Sequence, residues 1–324
     1  MRHMVIDGHN DLVLKRWRGE PAEHIDLETA AEADFAGGFF ALYVPSPYNG
    51  DPPATPYAMP IADAIPAEEA ARIAEELFET LCAMPVRRAE SIDDFREGEI
   101  TAIVHMEGAE PIADDLSNLD DWYARGLRSI GLVWSRPNAF AHGVPFEFPA
   151  SPDTGPGLTD AGRALVRACN QRGILVDVSH LNERGFWDVA EISDRPVVAT
   201  HSNAHALCAS TRNLTDAQLD AVRASGGVVG VNFAVTFLRE DGLNDFEATG
   251  LDEIVRHVDY LVDRMGIDHV AFGSDFDGAV VPAALGGVSG LPRLLDALRE
   301  RYDAGEVDRI THGNWLRVLD ATWR

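Results

Sequence analysis

The chain has 324 residues, of which 46% are hydrophobic, and its 53 acidic against 27 basic residues give a formal net charge of −26 at pH 7. This length suits one large α/β domain or two smaller ones, and the apolar content is sufficient for a buried core. The charge argues against nucleic acid as a partner, because phosphate binding needs clustered Lys and Arg, and Lys15 is the only lysine.

The start of the chain and its cysteines bear on location and redox chemistry. No apolar run approaches the length of a membrane-spanning helix, and no signal-like segment precedes the first strand-like run, so we expect a cytoplasmic protein. Cys82, Cys169 and Cys208 cannot all pair and show no C-x-x-C spacing. They indicate structural thiols rather than a disulfide framework or a thiolate zinc site.

Eight short apolar runs rich in β-branched residues have the length of strands. They cover residues 4–8, 39–44, 102–107, 128–134, 175–180, 197–201, 227–233 and 269–275. Helical patterns separate most of them, and the clearest cover residues 66–84, 159–173, 215–226 and 251–265.

The alternation of strands and helices predicts a parallel sheet. Eight such units in this length fit a closed (β/α)₈ TIM barrel better than an open doubly wound sheet, and no G-x-G-x-x-G motif supports the open alternative. We therefore expect residues 1–324 to form a single barrel domain that carries the catalytic site.

Two proline-rich segments interrupt the alternation. Residues 45–66 contain seven prolines and residues 137–157 contain five, and these segments follow the second and fourth predicted strands. In a barrel such connections lie at the mouth formed by the carboxyl ends of the strands. We expect them to wall a pocket there, although ordinary surface loops would have the same composition.

The first predicted strand leads into a His-x-Asp pair, His9 and Asp11. Residues two apart on a strand share a face, so the pair can bind one cation, although a turn with an Asp cap would explain it equally well. What favours the metal is that acidic or imidazole side chains also end the third, fifth, sixth and eighth runs, namely Glu107, His180, His201 and Asp275.

The ligand types favour particular metals. Oxygen and imidazole ligands without thiolate suit zinc, or another first-row divalent ion, at a catalytic site that keeps one position open for water. Six such groups exceed the needs of one ion. A carboxylate that bridges two cations around a shared hydroxide is the economical arrangement.

Several ordered motifs resemble those of the membrane (renal-type) dipeptidases of the amidohydrolase superfamily, which are binuclear zinc (β/α)₈ barrels. The likeness extends over nearly the whole chain. It rests on Asp7-Gly8-His9-Asn10-Asp11, His105-Met106-Glu107-Gly108, Val178-Ser179-His180, Thr200-His201-Ser202, Cys208-Ala209-Ser210-Thr211-Arg212-Asn213, Gly273-Ser274-Asp275-Phe276-Asp277-Gly278 and Gly313-Asn314-Trp315-Leu316-Arg317.

The resemblance implies a role for each matching residue. His9 and Asp11 would hold one metal, and Glu107 would bridge it to a second metal held by two further ligands, His180 and His201. Asp275 would be the acid/base of peptide-bond hydrolysis. Arg212 would bind the terminal carboxylate of a dipeptide, where the alternative is a surface salt bridge. Family habit also suggests a homodimer.

The sequence departs from the mammalian members at Trp134, where they have a histidine that contacts the scissile carbonyl or the tetrahedral intermediate. An indole donates one hydrogen bond and does not titrate. Either His142 in the following loop replaces that group, or the metals suffice, or the substrate differs. No hydrophobic tail follows the last motif, so no lipid anchor is implied.

A dipeptidase of this kind could also accept dipeptides with a D-amino acid at the C-terminal position. Two functions other than a dipeptidase stay open. One is hydrolysis of another small amide, such as an N-acyl amino acid or a lactam, which Trp134 leaves possible. The other is a metal-binding barrel without catalysis. Asp275 argues against the latter, because a binding protein needs ligands but no proton shuttle.

Overall fold

The structure is a computed structural model, and it describes residues 4–46, 57–59, 61–96 and 98–323. Eight parallel strands form the centre of the molecule. Each strand pairs with the next along the chain. They are β1 (Val5–Asn10), β2 (Phe35–Tyr43), β3 (Thr101–Glu107), β4 (Leu127–Gly131), β5 (Leu175–Asp177), β6 (Val198–Ser202), β7 (Val228–Val231) and β8 (Val270–Phe272).

The last strand returns to the first at the carboxyl ends. The amide of Asp11 donates to the carbonyl of Phe276 over 2.9 Å, and the amide of Asp275 donates to the carbonyl of His9 over 3.0 Å. These bonds close the sheet beyond β8. The predicted (β/α)₈ barrel is confirmed.

Helices connect the strands and cover the outside of the barrel. They are α1 (Leu12–Arg18), α2 (Ala67–Ala83), α3 (Leu119–Ala124), α4 (Asp160–Arg172), α5 (Glu183–Ile192), α6 (Asp216–Ala224), α7 (Val235–Leu238), α8 (Leu251–Met265), α9 (Leu291–Arg299), α10 (Ala304–Asp308) and α11 (Asn314–Thr322). None of the helices in the described ranges combines the length and apolar character that crossing a membrane requires.

The helix starts follow from capping chemistry. The Thr159 hydroxyl accepts a hydrogen bond from the amide of Gly162 over 3.0 Å at the start of α4. Thr215 and Gln218 form a capping box at the start of α6. Each cap satisfies amides that the first turn leaves without a partner, which is why the predicted starts of α4 and α6 agree with the structure.

The described parts of the two proline-rich segments pair with each other. Tyr57–Ala58 and Glu147–Phe148 form a small antiparallel sheet above the barrel. Residues 47–56 and 60, which belong to the first predicted segment, lie outside the described residues. The pairing places both segments on the side of the barrel mouth where β2 and β4 end.

Three strands end three residues earlier than the sequence predicted. β4 stops at Gly131, β5 at Asp177 and β8 at Phe272, although the predicted runs extended to Trp134, His180 and Asp275. The chain turns instead, and three residues just beyond these strands have positive φ angles, namely Ser135 (35°), His180 (66°) and Asp275 (61°). Such backbone strain in non-glycine residues is concentrated at functional sites.

Trp315 fills the barrel interior at the end opposite the mouth. Its side chain is fully buried, its indole N–H donates to the carbonyl of Phe272 over 3.0 Å, and its ring lies 5.0 Å from that of Phe39. A Cβ added at Gly8 or Gly230 would come within 2.6 or 3.0 Å of the indole. Glycine at these two strand positions therefore makes room for the tryptophan.

We expect Trp315→Ala to lower the free energy of unfolding by about 3–5 kcal/mol, the usual cost of removing a buried aromatic side chain. Denaturant titration of the variant and the parent, both freed of metal, measures this. Trp187→Ala is the control, because Trp187 is 39% exposed and its loss should cost within about 0.5 kcal/mol. Equal losses in the two variants would contradict a packing role for Trp315.

Candidate metal centre

Three imidazoles converge on one carboxylate oxygen at the barrel mouth. The Oε1 atom of Glu107 lies 3.1 Å from Nε2 of His180, 3.6 Å from Nε2 of His201 and 3.7 Å from Nε2 of His9. Glu107 is the last residue of β3, whereas the histidines come from β1, β6 and the turn after β5. All four side chains are buried.

The ligating atoms form two overlapping groups. His9, Glu107 and His201 place their ligand atoms within 4.8 Å of one another, and so do His9, Asp11 and Asp275. The structure thus brings together all five sequence-predicted ligands and adds Asp275 to their neighbourhood. The grouping differs in detail from the one implied by the resemblance, because His9 lies close to both sets.

Several polar atoms of this cluster are buried without a partner. Both ring nitrogens of His9 and the Oδ1 atom of Asp11 lack a hydrogen bond in the described part of the chain. Buried polar atoms are costly unless something binds them. A mixed set of imidazoles and carboxylates without thiolate fits a divalent cation, and the residues present therefore suit a metal.

The charges at the site also call for a cation. Although burial lowers the pKa of His9, the charges of Glu107, Asp11 and Asp275 raise it to about 10. Burial raises the pKa of Glu107 to about 8, and the neighbouring carboxylates act in the same direction. The carboxylates therefore favour positive charge beside His9, which a divalent ion supplies more effectively than a proton.

Two of the imidazoles are held by hydroxyl groups through their other nitrogen. Nδ1 of His180 lies 2.9 Å from Oγ of Ser135, and Nδ1 of His201 lies 2.8 Å from Oγ1 of Thr200. Burial lowers the pKa of both rings well below the ordinary value, so both are neutral at pH 7. Sequence reasoning missed both hydroxyls, although Thr200 directly precedes a ligand.

Asp275 lies at the edge of the cluster and faces the cavity. Its Oδ2 accepts a hydrogen bond from Nδ2 of Asn232 over 2.9 Å. Burial raises the pKa of Asp275, and the charge of His9 opposes that shift. Asn232 follows β7, which is, with β2, one of the two strands to which the sequence assigned no functional residue. An amide within an otherwise apolar run was the signal that could have revealed it.

Arg212 is not the surface salt bridge that the sequence left open. The side chain is 3% exposed, and its Nη2 donates to the carbonyl of His201 over 3.2 Å. The guanidinium carbon lies 5.5 Å from the centre of the Phe237 ring, and Nε has no hydrogen-bond partner among the described residues. The structure therefore places a buried cation next to a predicted metal ligand, His201, and leaves at least one N–H of the guanidinium free to donate.

A cavity of about 460 Å³ opens beside the cluster, within the usual range of small-molecule sites. Glu107, His180 and Asp275 line its floor. Aromatic rings form one continuous wall, with centres 5.1 Å apart for Tyr43 and Trp134, 5.5 Å for Trp134 and Phe146, and 6.2 Å for Phe146 and Phe237. Pro45, Met59 and Pro145 of the proline-rich segments also line it.

The two residues considered for the missing family histidine have different positions. Trp134 lines the cavity, with its ring centre 5.8 Å from that of His180. His142 instead lines a neighbouring cavity of about 400 Å³ and is not among the side chains around Glu107. The structure therefore places Trp134, and not His142, in the wall of the cavity beside Glu107.

His105 lies one layer below the ligands. It is fully buried, and its Nδ1 lies 2.9 Å from Oγ of Ser129. Its Nε2 is 3.7 Å from Oδ2 of Asp177, beyond hydrogen-bond distance. His105 therefore packs in the barrel interior beneath the candidate ligands.

Buried imidazoles and carboxylates at the strand ends of an eight-stranded parallel barrel are the arrangement expected of a metal-dependent hydrolase. The model of one family, membrane dipeptidase (peptidase family M19), matches residues 1–323. The chain belongs to this family. It is therefore a hydrolase of peptide bonds that depends on divalent metal.

Similar proteins include a solved metallo peptidase from Rhodobacter sphaeroides, bound to a phosphinate mimic of the dipeptide L-Ala-D-Ala. It is 46% identical to this chain and superposes on it with a TM-score of 0.96, and the match covers 100% of both chains. The "Uncharacterized protein in pqqA 5'region" of Klebsiella pneumoniae is 53% identical over 73% of this chain and 88% of that protein. Dipeptidase verJ of Clonostachys rogersoniana is 29% identical over 98% and 84%, respectively.

Proposed function

We propose that this chain hydrolyses dipeptides at a site that holds two divalent ions, with zinc as the favoured metal. His9 and Asp11 would hold one ion, His180 and His201 the other, and Glu107 would contact both. The observation that carries the proposal is the approach of three imidazole Nε2 atoms to within 3.7 Å of one Glu107 oxygen. Such a shared carboxylate is typical of two-metal sites.

The residues of the chain would divide the remaining work. When bound, the ions polarise a carbonyl and make water more acidic. Asp275, held by the amide of Asn232, would take a proton from the attacking water and deliver it to the nitrogen of the departing amine. The free N–H groups of the buried Arg212 would bind the substrate carboxylate and thereby orient the scissile bond.

The Rhodobacter sphaeroides relative, which is bound to a mimic of L-Ala-D-Ala, supports a proposal about the stereochemistry of the substrate. We propose that this chain also accepts a D-residue at the C-terminal position. Turnover of L,L-, L,D- and D,L-dipeptides by the metal-reconstituted enzyme tests this, with the metal-free enzyme as the control. Activity on N-acyl amino acids or lactams, but on no dipeptide, would replace this function with the alternative amidase.

Trp134 would select the N-terminal side chain of the substrate. Arg212 lies over Phe237 at one end of the aromatic wall, whereas Trp134 and Tyr43 form the other end beyond His180. A dipeptide anchored by its carboxylate at Arg212 would therefore place its N-terminal residue against Trp134.

We expect Trp134→Ala to lower kcat/KM for dipeptides with N-terminal Leu or Phe by about ten- to fifty-fold. This is the effect expected when roughly 60–90 Å² of apolar surface is no longer buried. The same substitution should change kcat/KM for dipeptides with N-terminal Gly very little. The control is therefore the comparison of Gly with Leu or Phe substrates in the one variant. Equal losses on Leu and Gly substrates would show that Trp134 does not read the side chain.

Arg212 and the substrate carboxylate should lose their interaction together. A buried charge-assisted hydrogen bond contributes about 1.5–3 kcal/mol, so amidating the C-terminus of a good dipeptide should lower kcat/KM by roughly ten- to a hundred-fold. Arg212→Met should lose a comparable amount on the free acid and discriminate little between acid and amide.

The measurement for Arg212 is a double cycle with two enzymes and two substrates, from which the coupling energy follows. The melting temperature of the variant serves as the control for folding, because Arg212 also donates to the carbonyl of His201. If the effects of Arg212→Met and of substrate amidation were additive, Arg212 would not bind the substrate carboxylate.

Four further statements stay predictions. They are zinc as the native metal, a homodimer, a cytoplasmic location and one catalytic domain over residues 1–324. Elemental analysis of protein purified without added metal tests the first, and light scattering in solution tests the second. We leave His142 out of the proposed substrate site because it lines the neighbouring cavity.

A further inference from the structure

We propose that Asp177 and Thr200 act as positioning residues that determine which nitrogen of His201 carries the proton. The proton is held on Nδ1, so that Nε2 presents its lone pair to the metal. This inference rests on the proposed role of His201 as a metal ligand, and it concerns two residues that do not contact the metal themselves.

Asp177 ends β5 and is 1% exposed. Its Oδ1 accepts hydrogen bonds from the amides of Ser179 over 2.9 Å and Thr200 over 2.8 Å. Its Oδ2 accepts the hydroxyl of Thr200 over 2.6 Å. A carboxylate with three donors around it is an acceptor only, so the single hydrogen of the Thr200 hydroxyl is committed to Asp177.

The direction of the next bond then follows. Oγ1 of Thr200 lies 2.8 Å from Nδ1 of His201 and has only lone pairs left to offer. Nδ1 must therefore be the donor. A neutral imidazole carries one N–H, so Nε2 has a free lone pair, and this atom is the one that lies 3.6 Å from Oε1 of Glu107. Histidine ligands are commonly oriented through their second nitrogen in this way.

His180 provides an internal comparison. Its Nδ1 lies 2.9 Å from Oγ of Ser135, and in the described part of the chain that hydroxyl has no further hydrogen-bond partner. The Ser135 hydroxyl can thus rotate to donate or to accept. The carboxylate behind Thr200 is what distinguishes His201, because it removes this freedom.

The polarity of the relay can be reversed by one substitution. In Asp177→Asn the amide oxygen can still accept from the two backbone amides, whereas the NH₂ group faces Thr200 and donates to its hydroxyl. The Thr200 hydroxyl then donates its hydrogen to Nδ1 of His201. The neutral imidazole therefore carries its proton on Nε2, and the protonated Nε2 cannot bind the metal. Thr200→Val removes the relay without reversing it, and Thr200→Ser retains the hydroxyl.

The test is metal retention by the metal-loaded enzyme during titration with a chelator. We expect Asp177→Asn and Thr200→Val to weaken metal binding by about ten- to a hundred-fold, as is typical for residues behind a metal ligand, and Thr200→Ser to behave as the parent. In the Thr200→Val background, Asp177→Asn should weaken binding little further. Ser202→Ala is the matched control, because Ser202 is buried directly after His201 but its hydroxyl has no hydrogen-bond partner in the described part of the chain.

Two outcomes would overturn the relay. Parental metal affinity in Thr200→Val is one, and additive losses in the double variant are the other. Melting temperatures of the metal-free variants separate loss of fold from loss of metal. His201→Ala distinguishes the two proposals, since retention of both ions there would remove His201 as a ligand, whereas loss there with full retention in Thr200→Val would remove only the relay.

Discussion

Glu107→Ala should lose both metal ions and at least about a thousand-fold in turnover. Every other proposed ligand would contact one ion, whereas Glu107 faces three imidazoles at once, with Oε1 3.1 Å from the nearest Nε2. Metal ions stabilise the transition-state charge of hydrolysis by several kcal/mol, and each 1.4 kcal/mol is about a factor of ten in rate.

Elemental analysis of the purified Glu107 variant gives the metal stoichiometry. His180→Ala is the matched control, because a ligand that belongs to one ion should leave about one ion per chain. Two tightly held ions in Glu107→Ala would end the assignment of a shared carboxylate. Loss of both ions in His180→Ala as well would mean that the two positions fill only together.

Asp275→Asn should lower kcat by roughly a hundred- to ten-thousand-fold, the usual contribution of a general acid/base, with a much smaller change in KM. The substitution keeps the shape of the side chain, and asparagine tolerates the φ of 61° that this position requires. What it removes is the basicity needed to accept a proton.

Metal analysis must accompany this measurement, because Asp275 lies within 4.8 Å of the ligand atoms of His9 and Asp11. Asn232→Ala is the graded control, since it removes only the hydrogen bond to Asp275 and should cost far less turnover. A fully metallated Asp275→Asn enzyme with near-parental kcat would require another base.

Much of the site could be predicted from the sequence because a barrel brings the carboxyl ends of its strands together. Apolar runs marked the strands, and His9, Glu107 and His201 lie in or at the end of the strands that carry them. A polar residue in such a position reaches the same mouth whatever the loops do. Periodicity and caps located the helices for a similarly local reason.

The partners of these residues depended on the tertiary structure. Ser135 is 45 residues from His180, and Asn232 is 43 residues from Asp275, so no local pattern could connect them. The burial of Arg212 and the position of His142 in the neighbouring cavity likewise depend on the paths of loops. The sequence by itself determined which side chains reach the mouth, because the alternation of strands and helices is set by local chemistry. Only the tertiary structure decided which atoms meet there, because hydrogen bonds and burial depend on distances between segments far apart in the chain.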